Sequence, residues 1–247
     1  MKSEKDSANS KGLCGKGGVY MSIEQNLTVI RKNIKDACKR TGRNPESVKI
    51  LAVTKTVDAQ TINKAISLGI TDIGENRVQE LLSKYDEVDK SAVWHIIGNL
   101  QKNKVKYIAD KVFMIHSVES VGLAEEINKQ CQKINKIMNI LVEVNVSGEE
   151  TKSGIKPEET AEFIKSICSL PNIRVKGLMT MAPFGADDSK LHQIFSTLYK
   201  ISVDILTKKL DNVTMDYLSM GMSNDYVIAV EENSTMVRLG RGLFRQT

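Results

Sequence analysis

The sequence predicts an α/β fold: a single TIM-type (β/α)8 barrel with an extra N-terminal helix. Short strand-like apolar runs alternate with helical patterns, eight such runs occur, and no G-x-G-x-x-G turn follows any of them. A length of 247 residues suits one such barrel and leaves no second domain to assign. An open, doubly wound sheet is the competing arrangement, and the count of eight without the glycine fingerprint favours closure.

Residues 1–20 are rich in Ser, Lys and Gly without periodic apolar positions, which predicts a disordered extension or expression remnant ahead of a barrel over 21–247. The GKGG at 15–18 has neither a preceding strand nor the Ser or Thr that a nucleotide phosphate loop needs. Ser22 and Gln25 then make an S-x-x-Q capping box. Ile23, Leu27, Ile30, Ile34 and Cys38 recur at helical spacing until Gly42 stops the run.

The strand runs are KILAVTK (49–55), DIGEN (72–76), VWHIIG (93–98), MIHSV (114–118), NILVEVNV (139–146), VKGLMTM (175–181), YLSMG (217–221) and MVRLG (236–240). Among the intervening helices, one runs from Asp58 to Leu68 before Gly69 and one starts at Pro157. A third shows Leu191, Ile194, Phe195, Leu198 and Ile201 on one face.

Apolar residues at 41% and charged ones at 26% describe an ordinary globule, and no apolar run approaches the roughly 20 residues of a membrane span. The four cysteines form no C-x-x-C pair, and Cys38, Cys131 and Cys168 occupy apolar helical positions, so buried inert thiols in a reducing, cytoplasmic setting are expected. Four lysines against Glu4 and Asp6 in the first twenty residues account for two units of the net charge of +5. Lys102, Lys104 and Lys106 lack accompanying aromatics, which reads as a solvated helix face and not a nucleic-acid site. His95, His116 and His192 are far apart and share no strand-end face with Cys, Asp or Glu, so no metal site is expected. No G-x-S-x-G elbow or Ser–His–Asp order appears either.

In barrels of this type the reactive groups gather at the C-terminal strand ends. Here those ends carry Lys55, Asn76, Asn145, Ser219, Gly221, Arg238 and Gly240. Strand alternation puts Lys55 on the face of Leu51 and Val53, and Arg238 on the face of Met236 and Gly240, so both point at one central ligand. A lysine closing an apolar strand is a candidate amine nucleophile, because burying an ammonium is costly; a snorkelling surface lysine is the plain alternative. The loops S-M-G-M-S-N-D and G-R-G after strands seven and eight have small residues, with helices expected to start near Ser223 and after Gly240. That is where barrels commonly hold phosphate; ordinary βα loops with an N-cap at Ser223 are the plain alternative.

The strings LAVTKTV (51–57), IGENRVQE (73–80), WHIIGNLQKNK (94–104), VNVSGEETKSGI (144–155), KGLMTMAP (176–183), LSMGMSNDY (218–226) and STMVRLG (234–240) resemble the pyridoxal phosphate homeostasis protein family, in order over about residues 22–244. The resemblance implies a barrel of the alanine racemase N-terminal type. Lys55 would hold pyridoxal 5′-phosphate as a Schiff base, Arg238 would face the pyridine nitrogen, and Asn76 would lie near the ring. It also implies phosphate contacts from Ser219, Gly240 and the residue that follows. Arg241 stands where the family usually has Thr, and Arg245 where it has Gly, which removes one hydroxyl donor and offers a guanidinium instead.

The implied function is to carry or buffer the cofactor in vitamin B6 and amino-acid homeostasis, with apo pyridoxal-dependent enzymes as recipients and no catalytic residue assigned. Monomers or weak dimers are implied. An amino-acid racemase is the alternative, but no counterpart is expected for the tyrosine that such enzymes bring from a second domain, since about seven residues follow the eighth strand run. A Schiff-base aldolase would more often place its lysine on strand six, where Lys176 sits at the strand's start, the wrong end of the barrel.

Overall fold

In the computed structural model, residues 21–149 and 151–245 are described; the expectations for residues 1–20, including Cys14 and GKGG, lie outside them. The strands are β1 (Lys49–Val53), β2 (Asp72–Glu75), β3 (Val93–Ile96), β4 (Met114–Val118), β5 (Met138–Glu143), β6 (Ile173–Met179), β7 (Val213–Ser219) and β8 (Met236–Leu239). They pair in parallel in chain order, and β8 returns to β1 through Leu51↔Arg238 and Ala52↔Leu239, closing the barrel. The helices are α1 (Ile23–Thr41), α2 (Ala59–Ser67), α3 (Val78–Lys84), α4 (Val121–Lys133), α5 (Thr160–Ile167), α6 (Asp188–Thr207), α7 (Tyr226–Glu231) and α8 (Arg241–Phe244). Among the described residues, no helix is long and apolar enough to cross a membrane.

Helix α1 begins at the expected capping box, with Ser22 Oγ accepting from Gln25 N–H and the Gln25 side chain accepting from Ser22 N–H. Gly42, in the left-handed region at φ 69°, ends it. Its apolar stripe is buried against Val230, Val237 and Leu239, each fully buried aliphatic side chain stabilising by about 1.5–3 kcal/mol over exposure. Asn26 Nδ2 donates to the carbonyls of Leu243 and Arg245, so the extra helix also holds the segment after β8.

The larger core lies between the barrel and the helices, where outward residues such as Ile96, Ile115 and Ile140 meet Leu81, Ile127 and Phe195. Inside the barrel, Leu51, Ile97 and Met236 form one apolar group and Met114, Leu141 and Met179 another, with Tyr217 against both. The ladder register shifts at Gly177, whose φ of 151° is open only to glycine. A Cβ there would collide with the carbonyl oxygen of Tyr217.

Most of the strands stop one to three residues before their apolar runs do, because the chain turns away to build the mouth. Lys55 and Asn76 therefore stand on loops just past β1 and β2. Lys176 is mid-strand, not at the start of β6, and pairs with Asp216 at 3.0 Å. The helix expected near Ser223 starts at Tyr226, with Asp225 as its N-cap. Cys38 and Cys131 are buried, whereas Cys168 at the end of α5 is half-buried, with its thiol donating to the Lys165 carbonyl. Lys102 and Lys106 are exposed on a 3₁₀ turn, Lys102–Tyr107.

Candidate functional site

A cavity of about 380 Å³ opens at the C-terminal end of the barrel, within the usual range of small-molecule sites. Lys55, Arg238, Gly240 and Arg241 line it together with Ser223 and Lys152. A roomier hollow of about 470 Å³ near Tyr107 and Lys133 lies in the helical layer, away from the strand ends that carry chemistry in barrels.

Lys55 is exposed at the mouth, so its ammonium does not bear the burial expected for a strand-ending lysine. The turn behind it is constrained: Thr56, a β-branched residue, is held at φ 62° while its N–H donates to Glu80 Oε2 at 3.2 Å. Lys152 reaches the same cavity from the loop after β5. Asn145 organises that loop, donating through Nδ2 to the carbonyls of Glu149 and Lys152 and accepting from Gly148 N–H.

Arg238, 4% exposed, is the cation of the cavity floor. Its Nη1 donates to the carbonyl and the hydroxyl oxygen of Ser219 at 2.6 and 2.8 Å, and its Nη2 to the carbonyl of Thr180 at 2.8 Å. Burial pulls its pKa down to about 10 against the attraction of Asp225 and Glu143, leaving it charged at neutral pH.

Ser219 itself is fully buried behind Arg238 and bonded to it, so it is not on the cavity wall. The serine on the wall is Ser223, whose Oγ accepts from Gly242 N–H at 3.0 Å and ties its loop to the start of α8. A Cβ at Gly242 would press on Ser223 at 3.2–3.3 Å, which is why glycine serves there. The first-turn N–H of Arg241 has no acceptor within α8 and is available to an anion, while the Arg241 side chain is exposed. Asn76 is half-buried beyond β2, its backbone packed so closely on Gly98 that a Cβ would meet the Asn76 carbonyl oxygen at 2.5 Å; it does not line the cavity.

Two buried groups went unrecognised in the sequence. Glu143, ending β5 and 3% exposed, has its carboxyl pushed up to about 7 by burial, with Glu119 adding to the rise and Arg238 opposing it. In the unfolded chain that carboxyl ionises near 4.5. Between about 4.5 and about 7 the folded state therefore retains a proton that the unfolded state releases, and stability falls as pH rises through that window. Glu143→Gln should abolish this slope, so that its stability relative to the parent improves by about 2–3 kcal/mol between pH 4.5 and pH 8 in urea titrations. A constant difference between variant and parent would reject the assignment.

The second is the histidine pair. His95 and His116 do share an environment, contrary to their separation in sequence: β3 and β4 are neighbours and both rings point inward, with His95 Nδ1 3.0 Å from His116 Nε2. His95 Nε2 also lies 3.1 Å from Asp72 Oδ1. His192 stands apart, half-exposed, with Nδ1 2.8 Å from Glu232 Oε1. The legible signal was one inward histidine in each of two consecutive strands, WHI and IHS. No group of three or more metal-ligating side chains occurs among the described residues.

Residues 25–247 match the family model described as alanine racemase, N-terminal domain. The chain is 41% identical to the pyridoxal phosphate homeostasis protein of Aquifex aeolicus, over 91% of this chain and 98% of that one. With the protein of the same name from Pseudomonas aeruginosa the identity is 36%, over 90% and 95%. The structure of PipY from Synechococcus elongatus with PLP bound superposes with a TM-score of 0.79 at 27% identity, covering 91% of this chain and all of that one.

Proposed function

Since the chain belongs to the pyridoxal phosphate homeostasis protein family, we propose that its barrel-mouth cavity binds pyridoxal 5′-phosphate as a Schiff base on Lys55 and that the protein carries or buffers this cofactor. One observation carries the proposal: a primary amine, a buried guanidinium and a serine-and-glycine turn converge on a single cavity. The donor set fits the group, with an amine for the aldehyde, a cation for the ring and hydroxyl and N–H donors for the phosphate. When bound, the cofactor supplies the aldehyde and a conjugated ring that can accept electrons.

Each residue then has a role set by its chemistry. Lys55 tethers the ligand reversibly through its Nζ. Arg238 faces the pyridine nitrogen as a cation, which disfavours ring protonation and weakens the ring as an electron sink. The Ser223 hydroxyl and the N–H of Arg241 bind the phosphate beside Gly240, with Ser223 in place of the phosphate contact that the resemblance implied for Ser219, which is buried behind Arg238. Asn76 stands near the ring by resemblance alone. Apo pyridoxal-dependent enzymes are the recipients, the setting is the cytoplasm, and the protein works as a monomer or weak dimer.

The test is to load the protein with pyridoxal phosphate, reduce with borohydride and map the peptides. A single stable mass increment on Lys55 is expected, and its absence, or label scattered over several surface lysines, overturns the reading. The loaded protein should also activate an apo-enzyme faster than free cofactor at the concentration it releases. Racemisation at a kcat of order 1 s⁻¹ would favour the enzyme alternative instead. No observation favours that alternative: among the described lining residues none is tyrosine or histidine, and the Tyr226 hydroxyl is engaged by Asn33 Nδ2.

The Arg241 guanidinium, standing at the cavity rim, adds a phosphate contact that salt screens. Arg241→Ala should weaken retention by about three- to tenfold at low salt and lessen its salt dependence, as equilibrium dialysis at two ionic strengths would show. Equal dissociation constants for parent and variant at both salt concentrations would remove this contact from the site.

A further inference from the structure

The interior of the barrel carries an unbroken line of hydrogen-bonded side chains. It runs from Asp72 on β2 to His95 on β3 (3.1 Å), to His116 on β4 (3.0 Å), to Ser219 on β7 (3.1 Å) and to Arg238 on β8 (2.8 Å). His95, His116 and Ser219 are all fully buried. Each link joins side chains from different strands, so only a closed barrel assembles the line.

Donor and acceptor chemistry leaves one consistent polarity. The Arg238 guanidinium only donates, so the Ser219 oxygen accepts there, and the Asp72 carboxylate only accepts, so a neutral His95 carries its proton on Nε2 and gives it to Asp72. His95 Nδ1 is then an acceptor, so His116 carries its proton on Nε2 and gives it to His95, and the His116 Nδ1 lone pair accepts the Ser219 hydrogen. The opposite polarity would set a ring lone pair against that carboxylate unless His95 took a second proton, which full burial opposes.

We propose that Asp72, His95, His116 and Ser219 form a hydrogen-bond relay of fixed polarity, in which the two histidines are positioning residues that make Ser219 the acceptor fixing Arg238 toward the cavity. Its consequence for the cofactor rests on the reading that the cavity binds pyridoxal phosphate. The relay itself does not. Bonds in such a chain polarise one another, so the Asp72 charge strengthens Ser219 as an acceptor several bonds away.

The groups facing this line are Lys49, 3.6 Å from Asp72, together with Glu143 and Asp225 near Arg238. Both ring pKa values are lowered, that of His95 by burial against the pull of Asp72, and that of His116 by burial reinforced by the neighbouring His95 and Arg238. Neutral rings agree with the geometry. Asp72 is raised by its own burial, but the His95 bond and the Lys49 charge outweigh this and hold it below the usual carboxylate range.

The unmodified, cofactor-free protein gives the first test, through nitrogen-15 spectra of its histidine rings from pH 5.5 to pH 8. His95 and His116 should both remain neutral with the proton on Nε2. A proton on Nδ1 of His116, or a doubly protonated His95 at pH 7, overturns the relay. The second test is His116→Leu, which cuts the line at a residue that does not line the cavity. If the variant keeps the parent's circular dichroism, its dissociation constant for pyridoxal phosphate should rise about tenfold while Lys55 is still labelled by borohydride. A folded variant with parental affinity counts against the relay, a parent that takes no label at Lys55 counts against the cofactor reading alone, and if the variant fails to fold the spectra of the parent decide.

Discussion

Arg238→Ala is expected to lower the unfolding free energy by about 3–5 kcal/mol, the usual cost of removing one partner from a buried charged network. The substitution would withdraw donors from the Ser219 and Thr180 carbonyls and the Ser219 hydroxyl. It would also leave Asp225 and Glu143 without their buried countercharge, and both carboxyls are already raised by burial. Urea unfolding at neutral pH measures the loss, and a loss below about 1 kcal/mol would show that Arg238 is not the electrostatic centre of the barrel. Adding Glu143→Gln to Arg238→Ala should recover part of the loss, because the cavity then buries one fewer carboxylate.

Lys55→Ala should abolish covalent retention of pyridoxal phosphate while leaving the fold intact, since Lys55 is exposed and its removal breaks no core contact. Dialysis followed by phosphate analysis should find little cofactor in the variant where the parent keeps close to one per chain. The control is Lys152→Ala, because Lys152 lines the same cavity from another loop. If Lys152→Ala loses the borohydride-stable label and Lys55→Ala keeps it, the tether has been assigned to the wrong amine. The noncovalent contribution of the phosphate and ring contacts should survive in Lys55→Ala as weak, salt-sensitive binding.

Barrel closure and the chain order of the strands were legible because each βα unit is local: an apolar run, a polar turn and an amphipathic stripe are all readable within 20–30 residues. The α1 boundaries were read to the residue from Ser22, Gln25 and Gly42, whose chemistry is also local. Lys55 and Arg238 followed from strand parity, and they do line one cavity. What depended on contacts between distant strands was not legible. Ser219 and Ser223 differ by four residues, yet the first is claimed by Arg238 and His116 inside the barrel and the second meets Gly242 at the mouth. No local pattern separates two serines in S-M-G-M-S. The partnership of His95 with Asp72 and His116 likewise exists only once β2, β3 and β4 lie side by side.

The cavity is completed by the two strands that lie farthest apart along the chain, with Lys55 following β1 and Arg238 through Arg241 belonging to β8 and the turn after it. Their pairing is the contact of highest sequence separation in the sheet and so carries a large loop-closure entropy during folding. A chain growing from the ribosome holds Lys55 early but acquires Arg238, Gly240 and Arg241, which line the same cavity, only with its last strand. On the proposed reading, the binding energy of the cofactor would be available to the closed barrel and not to precursors that lack the last strand, making the ligand a selective stabiliser of the finished fold.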